Sequence, residues 1–230
     1  FPEMVRIIDE ELQNLQDGDE IVPYDFCRRF ALRIFCKSLL GVDITADKIE
    51  RISRGMDAAN ERMFDLLTDA DFLSHDEIKP SSRKLQRQVI PIIRFIHQVV
   101  EDRMASPVNA DDGDHSLLDG IIAAVTAQET DTAQAKAQIK EEVYHLLLAG
   151  HETTGATTAW CLYHLAHDLE TQDALRAETT VVYDRDNQYV NEPRPNDIPL
   201  MQKVLRETLR LHPSPYVSFP RIATEDYEAG

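Results

Sequence analysis

No stretch of this 230-residue sequence approaches the roughly 18 consecutive apolar residues that a membrane-crossing helix needs. Cysteine is scarce: Cys27, Cys36 and Cys161 are odd in number, scattered, and form no C-x-x-C. That excludes a disulfide framework and a zinc knuckle, and points to a reducing compartment. Basic charge is thin, with 24 Lys and Arg against 41 Asp and Glu and a formal net charge of -17. Such a chain repels phosphate backbones and its few bases do not cluster, so no nucleic-acid partner is expected. The 8 glycines and 11 prolines fall below an average usage of about 12%, which favours long helices over turn-rich sheets. The first residues, FPEMVRIIDEEL, lack a basic n-region and so are no signal peptide. They read like the inside of a helix, and RIATEDYEAG stops without a cap, so both ends are expected to be cut.

What is present is the balance of an ordinary globular protein, 43% hydrophobic and 28% charged. The length suits one large domain or two small ones. Helical periodicity dominates. Met4, Ile8, Leu12 and Leu15 trace one face; Phe26, Phe30 and Ile34 trace a second, which Gly41 can close. A third helix is expected from Thr45, carrying Ile49, Ile52, Met56 and Met63. A fourth runs through Val89, Ile92, Ile96 and Val100, with Pro91 near its start or kinking it. Leu117 to Val125 form a short helix after an acidic loop at 110–114. A long helical stretch follows at about 132–167, then helices at about 171–183 and 200–211, separated by a loop at 184–199. His212-Pro213 stops the last helix, because a residue before proline disfavours α geometry. Residues 217–223 read as extended, so the chain is mainly α with minor β after its last helix.

The long stretch contains LLLAGHETTGATTAW, with Leu146, Leu147 and Leu148 predicting burial nearly all round. Into it the sequence places Gly150, Glu152, Thr153, Thr154 and Gly155. A mid-helix glycine costs about 1 kcal/mol, and a buried unpaired acid costs more or takes up a proton. A threonine hydroxyl can bond the carbonyl four residues back, here that of Ala149 for Thr153, and loosen the ladder. Rules broken together in this way mark a functional site. The bland alternative is that the two glycines admit a neighbouring helix and Glu152 faces solvent. A zinc reading fails on pattern, since position 155 is Gly where H-E-x-x-H needs His. His164 and His167, at i and i+3, fit an exposed helix face better than a metal site.

A second constellation lies in KVLRETLRLHPSPYVSFPR, where Glu207 and Arg210 share a helix face at i, i+3. Alone, such a pair is a surface ion pair of little worth. Its apolar neighbours Val204, Leu205, Leu209 and Leu211, and the proline-rich run ending in Arg221, argue for more.

Together, Ala149-Gly150-His151-Glu152-Thr153-Thr154 on a long helix and Glu207-Thr208-Leu209-Arg210 followed by His212-Pro213 resemble the cytochrome P-450 family of haem-thiolate monooxygenases. The first matches that family's I-helix pattern, here at about 132–167; the second matches its K-helix E-x-x-R, here at about 200–211. The likeness covers residues 1–230, as the central part of one catalytic domain from the D helix to just after the K helix. It implies that Ala149 and Gly150 lie against haem b, the glycine leaving room for dioxygen, and that Glu152 and Thr153 position water and relay protons. It further implies a buried structural pair of Glu207 and Arg210, and an Arg221 that donates to a haem propionate. Pro215, Tyr216, Val217 and Ser218 would line the substrate pocket. The implied partners are a small apolar organic substrate, dioxygen, and a reductase or ferredoxin passing electrons from NAD(P)H.

The resemblance also implies a cysteine thiolate ligand in a loop F-x-x-G-x-x-x-C-x-G, which this sequence lacks. None of Cys27, Cys36 and Cys161 fits that pattern, so no metal ligand is expected in this chain, and each reads as a packed core thiol. The chain is therefore expected to be inactive alone and part of a cytoplasmic or cytoplasm-facing enzyme. The alternative is a non-catalytic helical interaction module built on the same scaffold.

Overall fold

The computed structural model describes residues 2–68, 83–107, 115–181 and 194–215. Among these residues there are nine α-helices and no strand, the mainly α class read from the sequence. The expected loop at 110–114, the loop residues 184–193 and the extended run 217–223 lie outside the described residues.

Local signals set most of the boundaries. α1 spans Pro2–Leu12, and α2 spans Pro23–Leu40 with proline at its first turn, where a missing N–H costs nothing. Gly41 closes α2 at φ 71°, a left-handed conformation that glycine adopts freely. α3 (Ala46–Thr68) follows Thr45, and α4 (Arg83–Ala105) carries Pro91 in its interior. α5 (Leu117–Gln128) opens with a capping box between Ser116 and Asp119. α6 (Thr132–Gly150) is capped by Asp131, which accepts from Ala133 N at 2.7 Å. The expected long helix is interrupted at His151, and α7 restarts at Glu152 and runs to Ala166. α8 (Leu169–Glu178) ends in a 3-10 turn at Thr179–Val181, and α9 spans Pro199–Leu211.

The chain forms two units, Phe1–Gly155 and Ala156–Gly230. In the first, α2 to α6 enclose one apolar core. It holds Leu32, Phe35, Cys36 and Leu40 of α2, Ile52 and Met56 of α3, and Ile92, Ile96 and Val100 of α4, with Leu118 of α5. Each such side chain contributes about 1.5–3 kcal/mol when fully removed from water. α6 adds Ala135, Ile139, Val143 and Leu147, every fourth residue. The same interval continues through His151, which is fully buried, and Gly155. α6 therefore buries one stripe rather than its whole circumference: Leu146 and Leu148 are half-buried, while Ala149 and Gly150 are exposed.

α1 also differs from its predicted face. It buries Val5, Ile7 and Glu11 and leaves Leu12 exposed, because Glu11 is drawn onto two arginines of α2. Arg29 Nε and Arg33 Nη1 reach its carboxylate at 2.8 and 2.7 Å. In the second unit, Glu178 at the end of α8 accepts from Leu200 N and Met201 N at 2.6 and 2.9 Å, so it caps α9 from outside. His212, just past α9, stacks on Trp160 of α7 with ring centroids 3.7 Å apart.

Candidate functional site

The interruption at His151 is where the broken rules converge. Thr153 Oγ1 donates to Ala149 O at 2.6 Å and Thr154 Oγ1 to Gly150 O at 2.9 Å, the four-back hydroxyl bonding expected from the sequence. Ala149 and Thr153, four residues apart, share one helix face. That face carries only a methyl group and a hydroxyl already turned back on the helix.

Gly150 and Gly155 both lie close against α2. A Cβ at Gly150 would lie 2.8 Å from the Phe35 ring, and one at Gly155 would lie 2.8 Å from Arg28 Cα. Both glycines admit α2, which runs antiparallel alongside, the close helix approach named as the alternative for these two residues. Phe35 fills the space that a side chain at position 150 would take.

Glu152 does not face solvent. Its side chain is 13% exposed, and three groups surround it. The Tyr24 hydroxyl of α2 donates to Oε2. Arg28 Nη1 lies 3.4 Å from Oε1, and His151 Nε2 lies 3.5 Å from the same oxygen. Arg28 also pairs with Asp57 of α3 and, at 3.4 Å, with Asp25, and it lies over the Tyr24 ring at 5.0 Å. Burial alone would raise the Glu152 carboxyl, but the His151 and Tyr24 contacts and the Arg28 charge outweigh it. The carboxyl is held below its usual range and stays ionised. The same burial, together with the bond to Glu152, pushes the Tyr24 phenol well above its ordinary value, so it remains a donor.

Tyr24, Arg28 and Asp57 were not singled out by sequence reasoning. A signal existed for one of them: Arg28 sits among Phe26, Cys27, Phe30 and Ala31 on the buried side of α2, and a buried guanidinium demands a carboxylate. The burial of His151 was also legible, as the next member of the fourfold stripe.

Glu207 and Arg210 meet as the spacing predicted, with Nε to Oε2 at 2.8 Å and Nη2 to Oε1 at 2.7 Å. Among the described residues the two side chains are 56% and 67% exposed, so the burial that the resemblance implies is not made there. Pro215 follows a cis peptide bond and is exposed. Tyr216, Val217, Ser218 and Arg221 lie outside the described residues. All three cysteines are buried thiols. Burial pushes Cys36 up to about 12 and raises Cys161 as well, so neither is poised as a thiolate. His167 is exposed, with Nδ1 on Tyr163 O at 2.8 Å, and His164 lies among the rings of Trp160, Tyr163 and His212. Among the described residues no cluster of three or more His, Cys, Asp or Glu could hold a metal.

A flat prosthetic group needs a helix face without projecting side chains, and the exposed Ala149 with Thr153 one turn later fits that need. An axial thiolate is not offered by the buried cysteines. A mainly α fold, a broken helix with an acid and a threonine at the break, and an E-x-x-R helix after it define the class. The family profile for Cytochrome P-450 matches residues 1–230, and the chain belongs to that family. It is 24% identical to Cytochrome P-450 4c21 of Blattella germanica, over 100% of this chain and 48% of that protein. It is 26% identical to Probable cytochrome P-450 6a19 of Drosophila melanogaster, over 98% and 45%. Against Cyclooctatin synthase of Streptomyces melanosporofaciens the identity is 27%, over 86% and 42%. The chain thus spans about half the length of these curated relatives.

Proposed function

We propose that this chain is the central part of the catalytic domain of a haem-dependent monooxygenase, which places one atom of dioxygen into a small apolar organic substrate. Electrons come from NAD(P)H through a reductase or ferredoxin. One observation carries the reading: a buried, contact-held Glu152 adjoins Thr153 at a helix break where Ala149 and Thr153 present only a methyl group and a hydroxyl. When bound, haem b supplies the iron chemistry of oxygen insertion. The chain's own residues do the rest.

Ala149 would leave the helix face flat enough to hold a macrocycle. Thr153 Oγ1 spends its proton on Ala149 O, which leaves its lone pairs to accept from a water and so to orient it. Glu152, fixed by Tyr24 and Arg28, exchanges protons between solvent and that water. Arg221 would bind a haem propionate, residues 215–218 would line the substrate pocket, and Glu207 with Arg210 would form a structural ion pair. A cytoplasmic or cytoplasm-facing location accords with three thiols outside any disulfide.

The test is a carbon-monoxide difference spectrum of the reduced protein with added haem, on this chain and on a form extended through the downstream reading frame. A red-shifted, thiolate-type band in the extended form alone supports the reading. Failure of both forms to bind haem overturns it and leaves a non-catalytic interaction module. In the extended enzyme, Thr153→Ala is expected to keep consuming reductant while product per reducing equivalent falls. Unchanged coupling would remove Thr153 from proton delivery.

A further inference from the structure

His151 is fully buried, yet only half of its ring is accounted for. Nδ1 lies 2.6 Å from Leu147 O, and a carbonyl oxygen can only accept, so Nδ1 carries a hydrogen. In a neutral ring Nε2 is then a bare lone pair. That atom has no hydrogen-bond partner among the described residues, and the nearest acidic oxygen, Glu152 Oε1, stands 3.5 Å away. Two acceptors facing each other in a buried place repel, unless a proton lies between them.

The charges around the pair favour that proton. From α2 come Tyr24, Asp25 and Arg28, from α3 comes Asp57, and α7 contributes Glu152 itself. Three carboxylates thus face one guanidinium, and Glu152, 13% exposed against 53% for Asp57 and 64% for Asp25, is the one that water solvates least. Arg28, drawn toward Asp57 as well as Glu152, cannot neutralise them all.

The geometry points to His151 and Glu152 as a proton-sharing pair, with one exchangeable proton held between Nε2 and Oε1. Its use as a proton store for Glu152 rests on the monooxygenase reading; its existence does not. On transfer the Nε2–H bond breaks and the Oε1–H bond forms, so imidazolium and carboxylate become imidazole and carboxylic acid. The net charge of the pair is unchanged. Water at the exposed edge of Glu152 takes the proton onward and restores it. His151 is a positioning residue in this scheme, acting only through Glu152.

The experiment is nitrogen NMR of the 230-residue chain labelled with 15N-histidine, at neutral pH, using His151→Gln to identify the ring signals. Should that variant fail to fold, sequential backbone-to-ring assignment identifies them instead. The expected result is hydrogen on both ring nitrogens of His151 in the wild type. In Glu152→Gln the Nε2 hydrogen is lost, Nε2 moves to the position of a bare imine nitrogen, and the Nδ1 hydrogen stays. A wild-type Nε2 already bare, or an Nε2 hydrogen indifferent to Glu152→Gln, overturns the pair. No haem enters this measurement, so its failure leaves the proposed function standing. A missing thiolate band, conversely, leaves the pair standing.

Discussion

Two glycines five residues apart make room for the same helix, but what they press against differs. At Gly155 the obstacle is the backbone of Arg28, with Cα at 2.8 Å and N at 3.0 Å, which yields only if α2 shifts. At Gly150 it is the edge of the Phe35 ring, which can turn. Alanine gains about 1 kcal/mol of helix propensity at either site. Overpacking outweighs that gain at 155, so Gly155→Ala is expected to lose about 1–3 kcal/mol in chemical denaturation and Gly150→Ala distinctly less. The two ion-pair sites invite a similar comparison. Arg28→Ala strands a carboxylate that is 13% exposed and is expected to cost about 3 kcal/mol, whereas Arg210→Ala, in an exposed pair, is expected to leave the denaturation midpoint of this chain unchanged. Glu152 also sets a pH dependence. Its folded carboxyl is depressed by contacts that outweigh burial, so its contribution is present at neutral pH and is lost as pH falls through the folded value. The stability gap between wild type and Glu152→Gln should therefore shrink as pH falls below the usual carboxylate range, measured by denaturation across the acid range.

At the scale of elements, the termini were legible wherever the signal was local. Pro23, Gly41, Asp131 and the Ser116–Asp119 box act within one turn of their own helices, and a sequence displays them directly. The break between α6 and α7 was half legible: glycine, acid and threonines announced a defect, but continuous helical periodicity concealed the single residue at which the helix restarts. What the sequence could not display were contacts made across elements. Glu152 meets Tyr24 and Arg28 more than 120 positions away. The α1 face turned because Glu11 answers arginines of α2 rather than because of its own apolar pattern. Glu178 belongs to the same class, capping α9 from the end of α8 across 22 residues. Replacing it with alanine frees two N–H groups and is expected to cost about 1 kcal/mol, read as faster amide exchange in the first turn of α9 alone. Unaltered exchange there would mean that water caps the helix equally well.

At the scale of the whole molecule, the two units differ in how much apolar surface each buries. The first has a continuous core drawn from five helices. Among described residues of the second, the buried apolar side chains are Ala159, Cys161 and Leu175, while Leu205, Leu209 and Leu211 stay 38–44% exposed. Stability is distributed accordingly. Amides of α8 and α9 are expected to exchange under conditions that leave α4 and α6 protected. Equal protection throughout would mean that the second unit draws stability from a source its own burial does not reveal.

The stacked pair of Trp160 and His212 gives that expectation an optical gauge. Trp160 is the one tryptophan in the sequence, so ultraviolet emission from the chain reports on a single place, the point where the end of α9 lies on α7. An imidazole 3.7 Å from the indole and tilted by 3° drains its excited state, more so when the imidazole carries a proton. Emission should accordingly brighten in His212→Leu, and brighten in early denaturant when α9 lifts away, while circular dichroism still records the helices of the first unit. The molecule thus signals the loosening of its weaker part by light, without any added label.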